Sequence, residues 1–134
     1  MREKAVCQFP AANAWYGNDR GKSTKGSRIH LLGVAYKRDI GDTRESPAQD
    51  VAKILLQRGA LLSYSDPHVP EFVVNGCHLK ETQIRPTILQ AADCIVIITD
   101  HSVFDYAEIF KHSRLVFDTR NAMKGFDSPK IVKL

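Results

Sequence analysis

Short runs of apolar residues divide the chain, and segments with a helical spacing of apolar side chains separate them. The run Ile29–Val34 is almost continuously apolar, and Asp93–Thr99 is continuous and rich in β-branched residues. Such runs are typical of strands that are covered on both faces, as in a parallel sheet. Further strands are predicted at Ala60–Ser65, at Leu115–Asp118 and, as a fifth strand at the edge, at Ile131–Leu134.

The clearest helix signal follows the first of these runs. Ser46 is placed as an N-cap, Pro47 suits the first helical position, and Gln49 completes a Ser-x-x-Gln capping box. Apolar residues then recur at helical spacing as far as Gly59, which is placed to end the helix in a left-handed conformation.

Two shorter helices are predicted later in the chain. They cover Arg85–Ala92 and Val103–Lys111, and Ser102 or Asp100 is the expected cap of the second. The stretch His68–Gln83 shows no regular pattern, so we predict an irregular connection there.

Strands that alternate with helices predict an α/β domain, namely a three-layer, Rossmann-like fold with a mainly parallel sheet of four to five strands. In such sheets, ligands bind beyond the carboxyl ends of the strands. This rule selects four loops for inspection: Ala35–Arg44, Asp66–His68, Thr99–Ser102 and Asp118–Asn121.

The positive charge of the chain is unevenly distributed. The 134 residues carry a formal net charge of +4, but residues 1–28 hold six basic and two acidic side chains, whereas residues 29–134 hold 13 of each. We therefore expect residues 1–25 to form a basic, flexible, solubilising arm, and residues 26–134 to form the folded domain. Contact of the arm with phosphates of nucleic acid is the less favoured alternative.

The spacing of cysteine and histidine argues against two kinds of site. The three cysteines, Cys7, Cys77 and Cys94, form no Cys-x-x-Cys pair, and the five histidines form no His-x-x-x-His pair. A disulfide scaffold and a metal site are therefore not predicted, and a reducing cytoplasm is the expected location. No apolar run reaches the ~20 residues of a membrane span, so no membrane partner is expected.

The loop after the first strand is rich in cations but is not a dinucleotide fingerprint. It lacks Gly-x-Gly-x-x-Gly, and it offers Lys37, Arg38 and Arg44 close to a helix N-terminus, with Tyr36 able to present a ring to a flat base. Arg120, after the fourth strand, is predicted to lie at the same edge of the sheet. Converging cations suggest a polyanionic ligand such as a diphosphate, and a solvated loop with local ion pairs is the alternative.

Two catalytic interpretations do not fit the sequence. Asp100, His101 and Ser102 are adjacent on one short turn, whereas a catalytic triad brings its groups together from different segments. A phospho-acceptor domain needs an acidic pair at the end of its first strand, where this chain has Gly33 and Val34. We predict no catalytic residue in this chain.

Four segments together resemble the C-terminal domain of the UDP-glucose/GDP-mannose dehydrogenase family. They are Gly33–Pro47 (GVAYKRDIGDTRESP), Tyr64–Pro67 (YSDP), Ala92–His101 (ADCIVIITDH) and Phe117–Gly125 (FDTRNAMKG). The resemblance begins near Asn18 and is strongest to the branch that oxidises UDP-N-acetylhexosamines for surface polysaccharides.

The resemblance implies a role for each matched residue. It implies that Tyr36, Lys37 and Arg120 contact the nucleotide of a UDP-sugar, and that Arg44 reaches the cofactor. Full-length members bind NAD in a separate N-terminal domain and oxidise the sugar through a catalytic cysteine, and neither feature is found here. The first 17 residues do not match the family and are interpreted as a foreign or frameshifted leader.

We therefore expect a detached UDP-sugar-binding domain that binds no NAD by itself and has no dehydrogenase activity alone. The alternative is an interaction module that complements a separate N-terminal dehydrogenase half or a second copy of itself. A non-functional gene remnant is the third possibility.

Overall fold

The computed structural model describes residues 26–39, 43, 46–74 and 76–133. Its first half contains β1 (Arg28–Leu32), α1 (Pro47–Gln57), β2 (Leu61–Ser65), β3 (Glu71–Val74) and β4 (Cys77–Lys80). Its second half contains α2 (Pro86–Ala91), β5 (Cys94–Ile97), α3 (Tyr106–His112), β6 (Val116–Asp118) and β7 (Ile131–Lys133).

Five strands form one sheet in the order β2-β1-β5-β6-β7, and every neighbouring pair in it is parallel. All five predicted strands are present, and the predicted α/β class is confirmed. The predicted arm, residues 1–25, lies outside the described residues. No described helix has the length and apolar character that crossing a bilayer requires.

The two faces of the sheet pack against separate hydrophobic clusters. On β5, Ile95 and Ile97 join the cluster that contains α2 and α3, whereas Cys94 and Val96 pack against the cluster that contains α1 and the β3–β4 hairpin. This alternation along one strand is the pleat of a sheet that is covered on both faces. It leaves the loops at the carboxyl edge as the place for a ligand.

Helix α1 begins as the sequence predicted, although the capping box is incomplete. The Ser46 hydroxyl accepts from the Ala48 amide, but the Ser46 amide donates to the Thr43 carbonyl instead of pairing with Gln49. The Ser46 hydroxyl also donates to the Ala35 carbonyl, which ties the start of α1 to the loop after β1. Gly59 has a φ of 87°, as expected of a left-handed helix end.

Two predictions for the segment between β2 and α3 are wrong. The stretch predicted to be irregular contains the antiparallel hairpin β3–β4. Helix α3 begins at Tyr106, not at Val103, and its cap is Asp105, whose side chain accepts from the Glu108 amide. Ser102 lies outside the helix and contacts another loop instead, since its amide and its hydroxyl both donate to the carboxylate of Asp39.

The two described cysteines differ in state. Cys94 is a free thiol packed against the core, and burial raises its pKa to about 12, so it stays protonated at neutral pH. Cys77 is disulfide-bonded, which differs from the expectation of reduced cysteines.

His30 is a buried histidine in the middle of β1, and it predicts a pH dependence of stability. Its Nδ1 lies 2.6 Å from the Ser63 hydroxyl and its Nε2 lies 2.7 Å from the Ser65 hydroxyl. Burial lowers its pKa from 6.5 to about 3. Between these two values the unfolded chain binds a proton that the folded domain does not, so the free energy of unfolding falls as the pH falls through this window.

We expect His30 to contribute a slope of up to about 1.4 kcal/mol per pH unit below pH 6.5. Urea unfolding of the parent and of His30→Gln, measured from neutral pH towards pH 3, should give the shallower decline for the variant. An NMR titration of the parent checks the cause without a substitution. A His30 ring that titrates near pH 6.5 in the folded domain contradicts this prediction.

Candidate functional site

A cleft opens where the sheet reverses its order of connection. The chain passes from β1 to β2 on one side of β1 and later returns to β5 on the other side. At the carboxyl ends of these strands lies a cleft of about 520 Å³, lined by Tyr36, Lys37, Arg38, Asp100 and Arg120. Such a switch point is where open α/β sheets bind ligands.

Three of the four predicted binding residues line this one cleft. Tyr36 and Lys37 come from the loop after β1, and Arg120 comes from the loop after β6. Arg44, the predicted cofactor contact, lies outside the described residues. With Asp100, from the loop after β5, three loops that are distant in sequence meet at one edge, as the parallel topology predicted.

The cations at the cleft are not equivalent. The guanidinium of Arg38 donates to the Asp100 carboxylate at 2.7 Å, and this pair raises the pKa of Arg38. Lys37 and Arg120 form no ion pair with any described residue. Their positive charges are therefore available to a ligand, whereas that of Arg38 is balanced within the protein.

A buried carboxylate, Asp66, anchors the loop after β1. It follows β2 directly, is fully buried, and its Oδ2 accepts from the amides of Val34 at 2.8 Å and Ala35 at 3.1 Å. The same oxygen accepts from Nε2 of His101 at 2.9 Å, and Oδ1 accepts from the His68 amide. One carboxylate therefore fixes segments from three strand ends.

A second buried carboxylate, Asp118, performs the same task for the loop after β6. Its oxygens accept from the amides of Arg120, Ala122 and Met123. The Nε of Arg120 donates to the Ile98 carbonyl at 2.8 Å. Because both the main chain and the side chain of Arg120 are held, the free end of its guanidinium has a defined position in the cleft.

Both cation-bearing loops contain a strained residue. Among the described residues, Asp39 (φ 62°) and Asn121 (φ 60°) are the non-glycine residues with a positive φ. Asp and Asn tolerate the left-handed region better than other side chains, and such conformations concentrate at functional sites. Asp39 lies two residues after Lys37, and Asn121 directly follows Arg120, so each is close to a cation that the sequence selected.

A third carboxylate, that of Asp39, bonds to the loop after β5. It accepts hydrogen bonds from the amide and hydroxyl of Ser102, and these bonds lower its pKa. Asp39 thus links the loop after β1 to the loop after β5, which sequence reasoning could not show.

Asp39, His68 and His101 form a cluster that histidine spacing could not reveal, because its members come from three loops. Their potential ligand atoms lie within 4.8 Å of one another. However, Nδ1 of His101 already accepts from the Asp39 amide at 2.7 Å, and the Asp39 carboxylate already accepts from Ser102. The lone pair that a metal ion would need is therefore engaged, and we assign the cluster a structural role.

Sequence reasoning selected the loops that contain Asp66, Asp118 and His101 but gave these three residues no role in the site. The available signal was their position, since each lies within two residues of the carboxyl end of a predicted strand. A buried Asp at such a place can accept from the amides of the loop that turns away from the sheet.

The sequence matches a known family over most of its length. The profile of the UDP-glucose/GDP-mannose dehydrogenase family, UDP binding domain, matches residues 30–125. The chain is 38% identical over 105 residues to a UDP-N-acetyl-D-mannosamine dehydrogenase from Methanococcus maripaludis, covering 72% of this chain and 23% of that protein. It is 33% identical over 118 residues to the UDP-glucose 6-dehydrogenase of Bos taurus, covering 73% of this chain and 24% of that protein.

Solved structures give the same result. The UDP-D-ManNAc dehydrogenase from Pyrococcus horikoshii is similar with a TM-score of 0.62 and 26% identity, over 80% of this chain and 25% of that one. The NDP-N-acetyl-D-galactosaminuronic acid dehydrogenase from Methanosarcina mazei has a TM-score of 0.65 and 26% identity, over 85% of this chain and 25% of that one. The chain thus spans about a quarter of the length of these relatives. It belongs to the UDP-glucose/GDP-mannose dehydrogenase family, and the part that it matches is the UDP-binding domain.

Proposed function

We propose that the cleft binds the uridine diphosphate part of a UDP-sugar through Tyr36, Lys37 and Arg120. The observation that carries this proposal is their convergence on one cleft at the switch point of the sheet. Two cations that have no acidic partner among the described residues match the charge of a diphosphate.

Arg120 is the better-oriented of the two cations. Its Nε is committed to the Ile98 carbonyl, so the two terminal nitrogens of the guanidinium are left for phosphate oxygens. Lys37 supplies a more mobile point charge, and its Nζ lies 5.6 Å from the centre of the Tyr36 ring. The ring of Tyr36 is 43% exposed, and we assign it to the face of the uracil base.

The described residues do not fit NAD. A dinucleotide loop needs glycines that allow the pyrophosphate to approach the backbone, but the place of a Cβ on Gly33 is already filled by Thr99. We therefore assign oxidation of the sugar to a cofactor-binding dehydrogenase half that acts together with this domain. Contact of Arg44 with that cofactor is part of the proposal.

Lys37→Ala and Arg120→Ala should each weaken UDP binding by about 1.5–3 kcal/mol, or roughly 10- to 150-fold in Kd, because each removes a charge-assisted hydrogen bond. Isothermal titration calorimetry with UDP and UDP-N-acetylglucosamine measures the effect. Arg120→Lys should recover only part of the loss, since lysine lacks the Nε that bonds Ile98.

Matched controls separate the cleft from the general charge of the domain. Lys80→Ala on β4 and Arg58→Ala at the end of α1 remove the same charges from exposed positions away from the cleft. Both controls should bind UDP like the parent. Absence of detectable heat from the parent at millimolar UDP, or equal losses in all four variants, contradicts the proposed function.

A further inference from the structure

We infer that His101 is the positioning residue of this cleft, acting as the neutral Nε2–H tautomer that joins the buried Asp66 to the main chain at Asp39. The inference rests on the proposed nucleotide site and names the group that holds its main loop in place. It also differs from a catalytic role, because His101 does not line the cleft.

The hydrogen-bond partners of His101 determine which nitrogen carries the proton. Nδ1 lies 2.7 Å from the Asp39 amide nitrogen, and an amide can only donate, so Nδ1 must accept. Nε2 lies 2.9 Å from a carboxylate oxygen of Asp66 that also accepts two amides, so Nε2 must donate. Asp66 therefore requires a proton on Nε2, the Asp39 amide requires that Nδ1 carries none, and the neutral Nε2–H tautomer is the form that satisfies both partners.

The ring of His101 is held in one orientation by its surroundings. The side chain is 0% exposed, the Phe104 ring packs against it at 5.5 Å in a T-shaped contact, and the His68 ring lies at 4.6 Å. The Tyr106 hydroxyl donates to its carbonyl at 3.0 Å. Rotation of the ring to exchange its two nitrogens would therefore disrupt packing on several sides.

Several contacts hold the loop that carries Tyr36 and Lys37, and two of them are main-chain anchors that lead to Asp66. On one side, Asp66 accepts directly from the amides of Val34 and Ala35. On the other side, His101 accepts from the Asp39 amide through Nδ1 and donates to Asp66 through Nε2. Asp39 has a strained φ of 62°, so loss of the second anchor should let its main chain relax and shift Lys37, two residues earlier, while the carboxylate of Asp39 keeps its bonds to Ser102.

Two substitutions of His101 each keep one of its two hydrogen bonds and remove the other. In His101→Gln the side-chain amide nitrogen can take the place of Nε2 and donate to Asp66, but the acceptor for Asp39 is lost. In His101→Asn the side-chain oxygen can take the place of Nδ1 and accept from Asp39, but the donor to Asp66 is lost.

We expect the two variants to rank in opposite orders in two measurements. His101→Gln should bind UDP about tenfold more weakly than His101→Asn, because the loop is released. His101→Asn should have the lower Tm, because the buried carboxylate loses a partner. A purely structural histidine would instead give the same order in both measurements, and that outcome overturns the inference.

Two measurements without UDP test the anchor itself. The ¹⁵N shifts of the His101 imidazole in the parent should show a protonated Nε2 and an unprotonated Nδ1. The Asp39 amide should exchange slowly with solvent in the parent and in His101→Asn, and faster in His101→Gln. An Nδ1–H tautomer, or equal exchange in all three proteins, overturns the inference. If the parent does not bind UDP, the proposed function is contradicted. The ¹⁵N shifts and the Asp39 amide exchange then still test whether His101 anchors the loop.

Discussion

Gly33→Ala should leave the domain largely unfolded, with a loss of more than about 4 kcal/mol in the free energy of unfolding. Gly33 has a φ of 80°, and a Cβ there would lie 2.7 Å from the Cβ of Thr99 and closer still to the Thr99 carbonyl oxygen. Thr99 cannot move aside cheaply, because its hydroxyl donates to the Ala35 carbonyl and its amide donates to Leu32. Urea unfolding followed by circular dichroism measures the loss.

Gly76→Ala is the matched control for this substitution. Gly76 has a φ of 82°, but no atom lies within 4 Å of the position of its Cβ. Its substitution therefore has only the backbone cost of a left-handed alanine, about 1–2 kcal/mol. The difference between the two variants isolates the overlap with Thr99. Equal destabilisation by both would contradict the packing argument.

The topology of the sheet explains why the location of the site could be predicted from the sequence. The carboxyl ends of parallel strands must meet at one edge, so Lys37 and Arg120 could be placed together from their positions after two predicted strands. The N-terminus of α1 could be predicted for a local reason, since Ser46 and Pro47 act within one turn. Local signals were therefore sufficient to predict the start of α1, and topology alone was sufficient to predict the location of the cleft.

One wrong prediction concerned a residue that contacts a distant part of the chain. Ser102 has the right chemistry for a cap, but its amide and hydroxyl donate to Asp39, 63 positions earlier in the chain, and Asp105 caps α3 instead. The hairpin β3–β4 was missed for another reason, since alternating apolar residues such as Phe72 and Val74 precede an Asn-Gly dipeptide in the sequence. That dipeptide is a strong hairpin signal, so the hairpin was readable from the sequence.

Asp66→Ala should also be severely destabilising, with an expected loss of about 3–5 kcal/mol in the free energy of unfolding. The substitution leaves four donors without their acceptor: the amides of Val34, Ala35 and His68, and Nε2 of His101. These donors lose their acceptor inside the protein, because Asp66 is 0% exposed. Thermal and urea unfolding measure the effect, and Asp127→Ala, an exposed carboxylate, should change stability by no more than about 0.5 kcal/mol.

Asp66→Asn tests whether the number of accepting oxygens, and not only the volume of the side chain, determines this loss. The amide keeps one oxygen, so it can serve either the three donors at Oδ2 or the single His68 amide at Oδ1, but not both. The free energy of unfolding of Asp66→Asn should therefore lie between that of the parent and that of Asp66→Ala. If the asparagine variant is as stable as the parent, the carboxylate does not organise the cleft. If it is as unstable as the alanine variant, the donor that the amide introduces outweighs the oxygen that it keeps.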